Sequence, residues 1–154
     1  MLDYVTAGES HGKGLYAVLS GLPAGLGIER AFIDAMLARR QAGYGRSERQ
    51  QMERDRALFE SGVRGGITTG NPITIRVRNR VSNLDKLPPV TRPRPGHADL
   101  AGVLKFGHSA DARDVLERSS ARETAVRAAV GGVCALFLRE FGITVAQFNV
   151  LAIL

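Results

Sequence analysis

The sequence predicts a fold that mixes α-helices and β-strands, and two observations lead to this prediction. Segments 29–42 and 120–141 carry apolar residues at helical spacing. Short strand-like runs occur at 2–6, 15–20 and 73–77. The chain has 154 residues, of which 44% are hydrophobic, so it is long enough to bury a core as a single domain.

The strand prediction is clearest for residues 73–77, where apolar and polar side chains alternate. Ile73, Ile75 and Val77 would share one buried face of a half-buried strand. Segments 2–6 and 15–20 are separated by a loop with paired glycines. Such glycines indicate tight turns or a close approach of the backbone to a ligand.

Segment 29–42 is predicted to be an amphipathic helix that stops at Gly43, because glycine commonly ends a helix. The apolar side chains available for its buried face are Phe32, Ala35, Met36 and Leu37. The stretch 44–56 that follows is polar and rich in arginine, glutamine and glutamate, and it could be a mobile loop.

Segment 120–141 has the strongest helical pattern. Ser120, with Glu123 three residues later, predicts a capping box at its start, and Gly142 predicts its end. Gly131 and Gly132 each weaken a helix by roughly 1 kcal/mol relative to alanine, and such pairs often permit close packing.

Two further segments have unusual compositions, one rich in proline and one apolar. Segment 81–95 contains four prolines, so it should lack regular structure and serve as a linker or a functional loop. Segment 143–154 is apolar and strand-like. Because chain ends are usually polar and frayed, an apolar end at Leu154 leads us to expect a fragment or a truncated chain.

The charge of the chain predicts anionic partners. The formal net charge is +6, and 18 of the 21 basic residues are arginines, whose planar fork of donors matches phosphate and carboxylate groups. The charge alone leaves open whether those partners are nucleic acids or small phosphorylated molecules. Arg39, Arg40 and Arg46 lie near a helix end, where they complement the helix dipole or clamp an anion.

Several classes of protein are disfavoured. Cys134 is the single cysteine, so no internal disulfide can form, and its apolar neighbours predict a small buried side chain. No targeting segment opens the chain, and no apolar run approaches the roughly 20 residues that span a bilayer. We therefore expect a soluble cytoplasmic protein without a membrane partner. Since CxxC, HExxH and paired-histidine spacings are absent from the sequence, no metal site is predicted.

Two histidines lie in loops that could present an imidazole to a pocket. His11 is flanked by glycines between two predicted strands, and His97 follows a stiff proline-rich approach. Either ring could exchange protons near neutral pH, although His11 alone is also compatible with a surface residue without a role. Asp99 could orient His97 or cap a helix near Leu100, and capping is the favoured interpretation.

The segment 118–124 could bind an anion where the long helix begins. The first N–H groups of a helix lack partners and attract phosphate. Ser119 and Ser120 add hydroxyls, and Arg118 and Arg122 add charges. A phosphate site and an ordinary capped helix with exposed arginines are equally compatible with this pattern.

Five segments, in this order, resemble the chorismate synthase family. They are GESHG at 8–12, RRQAGYGR at 39–46, SGVRGGITTGNPI at 61–73, RPGHADL at 94–100 and RSSARET at 118–124. Together they extend over nearly the whole chain up to Gly142. Five ordered matches are far more specific than any one of them.

The resemblance implies an α+β fold in which helices are sandwiched between antiparallel sheets, assembled as a homotetramer. It implies a carbon–oxygen lyase that forms chorismate by a 1,4-anti elimination of phosphate from 5-enolpyruvylshikimate 3-phosphate. Such an enzyme needs reduced FMN, and NADPH is a possible reductant. Family members are much longer, so residues 1–154 would be a single domain, the N-terminal part of the enzyme, with an incomplete C-terminal half.

The resemblance also implies roles for individual residues. His11 would be the acid beside the leaving phosphate, and His97 would protonate the reduced flavin. Arg40 and Arg46 would bind the anionic substrate or a nicotinamide nucleotide. The residues that match a flavin-contacting segment are Arg118, Ser119 and Ser120.

The chain departs from the family pattern in two places. Residues 115–117 read VLE where many members have glycines, which marks a branch of the family, and Ala42 stands where many have proline. Two alternatives to the enzyme remain: a basic nucleic-acid-binding module and an inactive truncated fragment. Against the first, aromatic residues are not interleaved with the arginines as stacking platforms.

Overall fold

The computed structural model describes residues 1–43, 52–144 and 147. Its strands are β1 (Asp3–Gly8), β2 (Gly14–Ser20), β3 (Ala24–Gly27), β4 (Leu58–Phe59), β5 (Val63–Arg64), β6 (Ile67–Thr69) and β7 (Ile73–Arg78). Its helices are α1 (Arg30–Gln41), α2 (Asp99–Phe106), α3 (Arg113–Arg118) and α4 (Thr124–Glu140). The three strands and two long helices expected from the sequence are all present.

The larger sheet contains four antiparallel strands in the order β1-β2-β7-β4. Its two central strands pair with Leu15 opposite Val77 and Leu19 opposite Ile73. These four side chains are buried on one face, because side chains alternate across a strand. The alternation predicted for residues 73–77 is therefore confirmed.

Helix α4 covers the buried face of this sheet, where it contacts β2 and β7. Val126, Ala129 and Val133 follow one another at helical spacing and have no solvent exposure. The helix also contacts β3 and packs against α1. The apolar core therefore lies between the larger sheet and this pair of helices.

Helix α1 buries a slightly different face from the one predicted. Ile33 and Leu37, one helical turn apart, are its fully buried residues. The sequence interpretation includes Ala35 in this face and omits Ile33, but Ala35 is exposed. The error arises because the apolar stripe of this helix is narrow, and Phe32 and Met36 at its margins are only half-buried.

The smaller sheet has three antiparallel strands in the order β3-β6-β5. Thr68 ties two of its segments together, since its buried hydroxyl accepts from the Leu26 N–H at 2.9 Å and donates to the Pro23 carbonyl at 2.7 Å. Helix α4 thus contacts both antiparallel sheets, and the expected α+β class is confirmed.

The start of α4 differs from the predicted capping box. A 3₁₀ turn over Ala121–Glu123 precedes the α-helix, and the Ser120 hydroxyl accepts from the Arg122 N–H at 3.3 Å. The Glu123 carboxylate does not complete the box. It accepts from the Thr6 hydroxyl at 2.7 Å instead, because β1 lies alongside.

The described residues of the segment 44–56 are mostly irregular, as a loop would be, and they are attached to the rest of the fold. Residues 44–51, which include Arg46, lie outside the described residues, but Glu53 and Asp55 are buried. The Gln41 amide donates to the Glu53 carbonyl at 2.7 Å, and the Asp55 N–H donates to the Gln41 side-chain oxygen at 3.2 Å. These bonds attach residues 53–55 to the end of α1.

Two other segments can be compared with their predictions. Segment 81–95 is irregular as expected, apart from a 3₁₀ turn at Leu84–Lys86. In segment 143–154 the Thr144 hydroxyl accepts from the Gln147 N–H at 3.2 Å, and Gln147 is helical. Residues 145, 146 and 148–154 lie outside the described residues, so the strand expected for this segment stays a prediction.

The structure describes the single cysteine and bears on membrane-spanning helices and metal sites. Cys134 is half-buried rather than fully buried, and burial raises the pKa of its thiol. Over residues 1–43 and 52–144, no helix is long and apolar enough to cross a bilayer. The same part of the chain contains no group of three or more side chains arranged to hold a metal ion.

The two adjacent glycines of α4 should respond differently to alanine. A Cβ at Gly132 would lie 3.0 Å from Ile33 Cγ1, whereas a Cβ at Gly131 would meet nothing within 4 Å. Gly131→Ala should raise the free energy of unfolding by up to about 1 kcal/mol through helix propensity. Gly132→Ala should lower it by roughly 1–3 kcal/mol through overpacking. Urea unfolding checks the order, and a Gly132→Ala protein at least as stable as Gly131→Ala would contradict the close packing of α1 on α4.

Candidate functional site

The connection between β1 and β2 carries His11 and depends on a glycine at its start. Gly8 has a φ of +100°, and a Cβ there would lie 2.3 Å from the Gly14 carbonyl oxygen. A larger residue would strain this turn. The Gly12 N–H donates to the Glu9 carbonyl at 3.1 Å, which closes the loop around His11.

Glu117, near the end of α3, holds His11. Both carboxylate oxygens lie 2.9 Å from His11 Nδ1, and one of them accepts the His11 backbone N–H at 2.7 Å. The Glu117 side chain has no solvent exposure, whereas the His11 side chain is 24% exposed. A buried carboxylate therefore orients a ring that still reaches the surface.

Asn79, directly after β7, is a second anchor of the His11 loop. Its side-chain amide donates to the carbonyls of Glu9 and Gly12, at 3.0 and 2.9 Å. Its amide oxygen accepts from Arg122 Nε at 2.9 Å. The loop is thus fixed both from α3 and from the end of the larger sheet.

Arg122 is buried, and acidic residues of the segment before β4 balance its charge. Its Nη1 lies 2.6 and 2.8 Å from the two carboxylate oxygens of Asp55, and its Nη2 lies 3.6 Å from Glu53 Oε2. Buried ions cost several kcal/mol each unless they are paired and hydrogen-bonded. The charges of this cluster therefore have to stay paired for the protein to remain stable. Arg122 is buried, and the interpretation of the sequence that makes it an exposed arginine is wrong.

Arg40, one of the predicted anion-binding residues, joins the same cluster. Its Nη2 donates to Asp55 Oδ2 at 2.7 Å, and its Nη1 donates to the Thr124 hydroxyl at 3.3 Å. Its Nε is buried and has no acceptor among the described residues. Arg46, the other predicted member of this pair, lies outside the described residues.

His97 is held by a second buried carboxylate, Asp99, at the start of α2. Asp99 Oδ1 lies 2.8 Å from His97 Nδ1, and Arg94 donates to the carboxylate from Nε at 2.8 Å and from Nη2 at 3.0 Å. The hydrogen bonds from Arg94 hold the pKa of Asp99 well below its usual range despite burial. The favoured capping interpretation is wrong, because Asp99 makes no cap bond and contacts His97 and Arg94.

The two histidine–carboxylate pairs are attached to helices that touch. Gly102 of α2 lies so close to α3 that a Cβ there would be 2.2 Å from Val115 Cγ1. The hydrogen bond and charge of Asp99 raise the pKa of Arg94, and the charge of Glu117 adds to this effect. Arg94 is therefore close enough to both carboxylates, Asp99 and Glu117, to be affected by their charges.

A pocket of about 260 Å³ opens where α2 meets α3. The residues that line it are Ala98, Ala101, Gly102, Lys105, Phe106, Val115, Arg118 and Ser119. Two of the three predicted flavin-contacting residues are in this set, and Ser120 is not. The Ser120 hydroxyl donates to Ser10 Oγ at 3.1 Å, beside His11.

The start of α4 presents fewer open N–H groups than the sequence suggests. Ser120 accepts from the Arg122 N–H through its hydroxyl at 3.3 Å and from the Glu123 N–H through its carbonyl at 3.0 Å. Arg118 Nη2 donates to the carbonyl and hydroxyl of Thr6, at 3.0 and 2.7 Å. Of the two interpretations left open, an ordinary capped turn suits these atoms better than a phosphate site.

Sequence reasoning did not single out Glu117, Asn79 or Asp55 as site residues. The signals were weak: Glu117 lies four residues after Arg113 in a stretch that departs from the family pattern, and Asn79 is a polar residue directly after an alternating strand. Asp55 lies in a polar stretch and gave no signal, because only its distant partners explain its burial.

Antiparallel sheets packed against helices define an α+β protein, and two loop imidazoles held by buried carboxylates are typical of an enzyme that transfers protons. A family model described as chorismate synthase matches residues 2–153. The chain therefore belongs to the chorismate synthase family.

Individual relatives agree with this assignment. The chain is 56% identical to the chorismate synthase of Carboxydothermus hydrogenoformans over 156 aligned residues, which cover 94% of this chain and 40% of that protein. It is 53% identical to the chorismate synthase of Trichlorobacter lovleyi, with 98% of this chain and 43% of that protein covered. Thus the chain spans about 40% of the length of these curated relatives.

A solved structure agrees as well. A crystal structure of chorismate synthase matches with a TM-score of 0.73 and 46% sequence identity, over 93% of this chain and 35% of that chain. The match extends over nearly all of the present chain, so it supports the whole arrangement of sheets and helices. These relationships do not favour the nucleic-acid-binding alternative.

Asp99 should make the stability of the protein sensitive to acid. Because its pKa falls on folding from the ordinary value of 3.8, its stabilising effect is present above that pH and is lost as the pH falls below it. Asp99→Asn should be less stable than the unaltered protein at neutral pH, yet lose less stability between neutral pH and about pH 3. Chemical unfolding at both pH values measures the difference. An equal loss in both proteins would contradict the contact of Arg94 with Asp99.

Proposed function

We propose that the complete gene product is a chorismate synthase that eliminates phosphate from 5-enolpyruvylshikimate 3-phosphate. The observation that carries this proposal is the pairing of His11 with Glu117 and of His97 with Asp99 on two touching helices. Membership of the family supplies the reaction. Two oriented imidazoles among arginines suit a reaction that moves protons around a departing anion.

The proposed reaction is a 1,4-anti elimination without net oxidation. A ring C–H bond and the C–O bond to phosphate break, the ring C=C bond between them shifts and the ring gains one C=C bond. The ring proton goes to a base, and phosphate leaves with the electron pair of the C–O bond. His11 is the proposed acid. Its Nδ1 is engaged by Glu117, so Nε2 would deliver the proton to the departing phosphate. Such an acid lowers the cost of the negative charge that builds up there.

The pocket between α2 and α3 is suited to a flat and largely apolar ring. Its walls are mainly apolar, and Arg118, whose side chain is 43% exposed, lines it together with Ser119. We propose that these two residues hold reduced FMN, with Ser120 as a third contact from the same segment. When bound, reduced FMN would supply electron density that assists the departure of phosphate.

His97 is the proposed proton donor to the reduced flavin. Ala98, next to it in the chain, lines the pocket, and the His97 side chain is 31% exposed. Asp99 engages Nδ1 of the ring, so the opposite nitrogen would face the flavin. This placement supports the role that the resemblance implies.

Arg40 and Arg46 are proposed to bind the anionic substrate or a nicotinamide nucleotide. In support, the Arg40 side chain is 12% exposed at the end of α1, and guanidinium nitrogens match carboxylate and phosphate oxygens. The use of NADPH to reduce the flavin stays a prediction.

A homotetramer in the cytoplasm is proposed as the working form. Leu104 and Phe106 on α2 are 76% and 62% exposed, and Val5 on the edge strand β1 is 65% exposed. Exposed apolar side chains beside a proposed site support a contact with further protein. The alternative of an inactive fragment applies to the 154 residues on their own.

Replacing either histidine should impair catalysis. In the complete gene product, His11→Ala and His97→Ala should each slow turnover by roughly 10²-fold or more, because each removes a proton-transfer group. Anaerobic rates of chorismate formation with reduced FMN measure the effect. His108→Ala is the matched control and should retain turnover, because His108 belongs to neither histidine–carboxylate pair. Near-normal turnover in both site variants would defeat the proposal.

A further inference from the structure

Glu117 is a carboxylate without solvent exposure in the short helix α3. Burying such a group costs several kcal/mol unless donors replace the lost water. A hydrophobic side chain of similar size would avoid that cost and often stabilises a protein at such a position. The presence of Glu117 is therefore better explained by what it holds than by packing.

The donors around Glu117 show what it holds. The His11 backbone N–H lies 2.7 Å from Oε2, and His11 Nδ1 lies 2.9 Å from both oxygens. Arg113 contributes a longer contact, with Nη1 3.4 Å from Oε1. Most of the carboxylate's hydrogen-bonding capacity is therefore directed at one residue.

The carboxylate is itself held in place. Arg113 donates to the Pro88 carbonyl from Nη2 at 2.6 Å, which fixes the guanidinium beside Glu117. The Ser10 N–H donates to the Glu117 carbonyl at 3.2 Å, so the backbones of α3 and of the His11 loop are joined as well. The imidazole therefore has little freedom to turn about its side-chain bonds.

We propose that Glu117 is the positioning residue that makes His11 a competent acid, and this inference rests on the proposed function of His11. A carboxylate only accepts, so its contact with Nδ1 requires a proton on that nitrogen. To act as the acid, the ring carries a second proton on Nε2; this proton passes to the departing phosphate and leaves a neutral ring with its proton on Nδ1. A buried carboxylate on the Nδ1 side fixes the tautomer and orientation of catalytic histidines in the same way elsewhere.

Glu117→Gln tests this role in the complete gene product. The amide keeps the size of the side chain but has no charge and can present an N–H to Nδ1, so it no longer supports a ring that carries protons on both nitrogens. We expect kcat to fall by about 10²-fold or more, with the KM for the shikimate-derived substrate changed by less than about threefold. A purely structural role would instead lower the unfolding midpoint and disturb kcat and KM together.

Glu60→Gln is the matched control for loss of a carboxylate. Glu60 pairs with Arg76 on the surface, 2.7 Å apart, and its side chain is 45% exposed. Its replacement should leave kcat and KM unchanged. A comparable loss of kcat in both variants would overturn the specific role of Glu117.

Nitrogen-15 NMR of the histidine-labelled protein gives a readout that does not depend on activity. The His11 signals are identified by their loss in His11→Ala. We expect a proton on Nδ1 in the unaltered protein, and a change of the Nδ1 resonance in Glu117→Gln. An Nδ1 without a proton in the unaltered protein overturns the proposal, even if Glu117→Gln fails to fold.

The experiments separate this proposal from the function on which it rests. Normal kcat in Glu117→Gln, together with an inactive His11→Ala, overturns the positioning role and leaves the elimination reaction intact. Normal turnover in His11→Ala overturns the proposed function itself.

Discussion

The burial of Arg122 at the end of the larger sheet is the constraint on which the site depends. Its side chain is 5% exposed, so protein groups must replace water around the guanidinium. Asp55 supplies the balancing charge, while Asn79 and the Arg78 carbonyl accept further hydrogen bonds. The hydrogen bonds and ion pairs of Arg122 therefore connect the segment before β4, the end of β7 and the start of α4.

Asn79 connects the buried Arg122 to the His11 loop. With its oxygen fixed by Arg122, the amide of Asn79 is directed at two carbonyls that flank His11 in the chain. Glu117 then fixes the imidazole from the opposite element, α3. The loop is thus positioned by polar contacts, and the His11 side chain is still 24% exposed.

Sequence patterns predicted the two long helices and three strands of the larger sheet, but not the short strands or the helix α3. The alternation at 73–77 predicted β7, because a strand with one buried face has a period of two. The helical stripe located α4 but not its first turn, since Ser120 and Glu123 are drawn to groups elsewhere in the fold. Local spacing contains no information about such distant partners.

The candidate site was predictable only in part, for the same reason. Loop chemistry and family resemblance identified His11 and His97, yet Glu117 lies 106 positions from His11 in the chain. The sequence favours capping for Asp99, because an acidic residue at a helix start usually stabilises the helix there. Its actual partner, Arg94, precedes it by five residues and is brought to it by the turn between them.

Amide hydrogen exchange in Arg122→Met tests most directly whether the buried cation holds the loop. The backbone N–H groups of Ser10, His11 and Gly12 are all hydrogen-bonded in the intact loop. We expect their exchange to accelerate in the variant, while the central strand β2 keeps its protection. Unchanged protection over residues 10–12, with faster exchange confined to residues 53–55, would contradict the account.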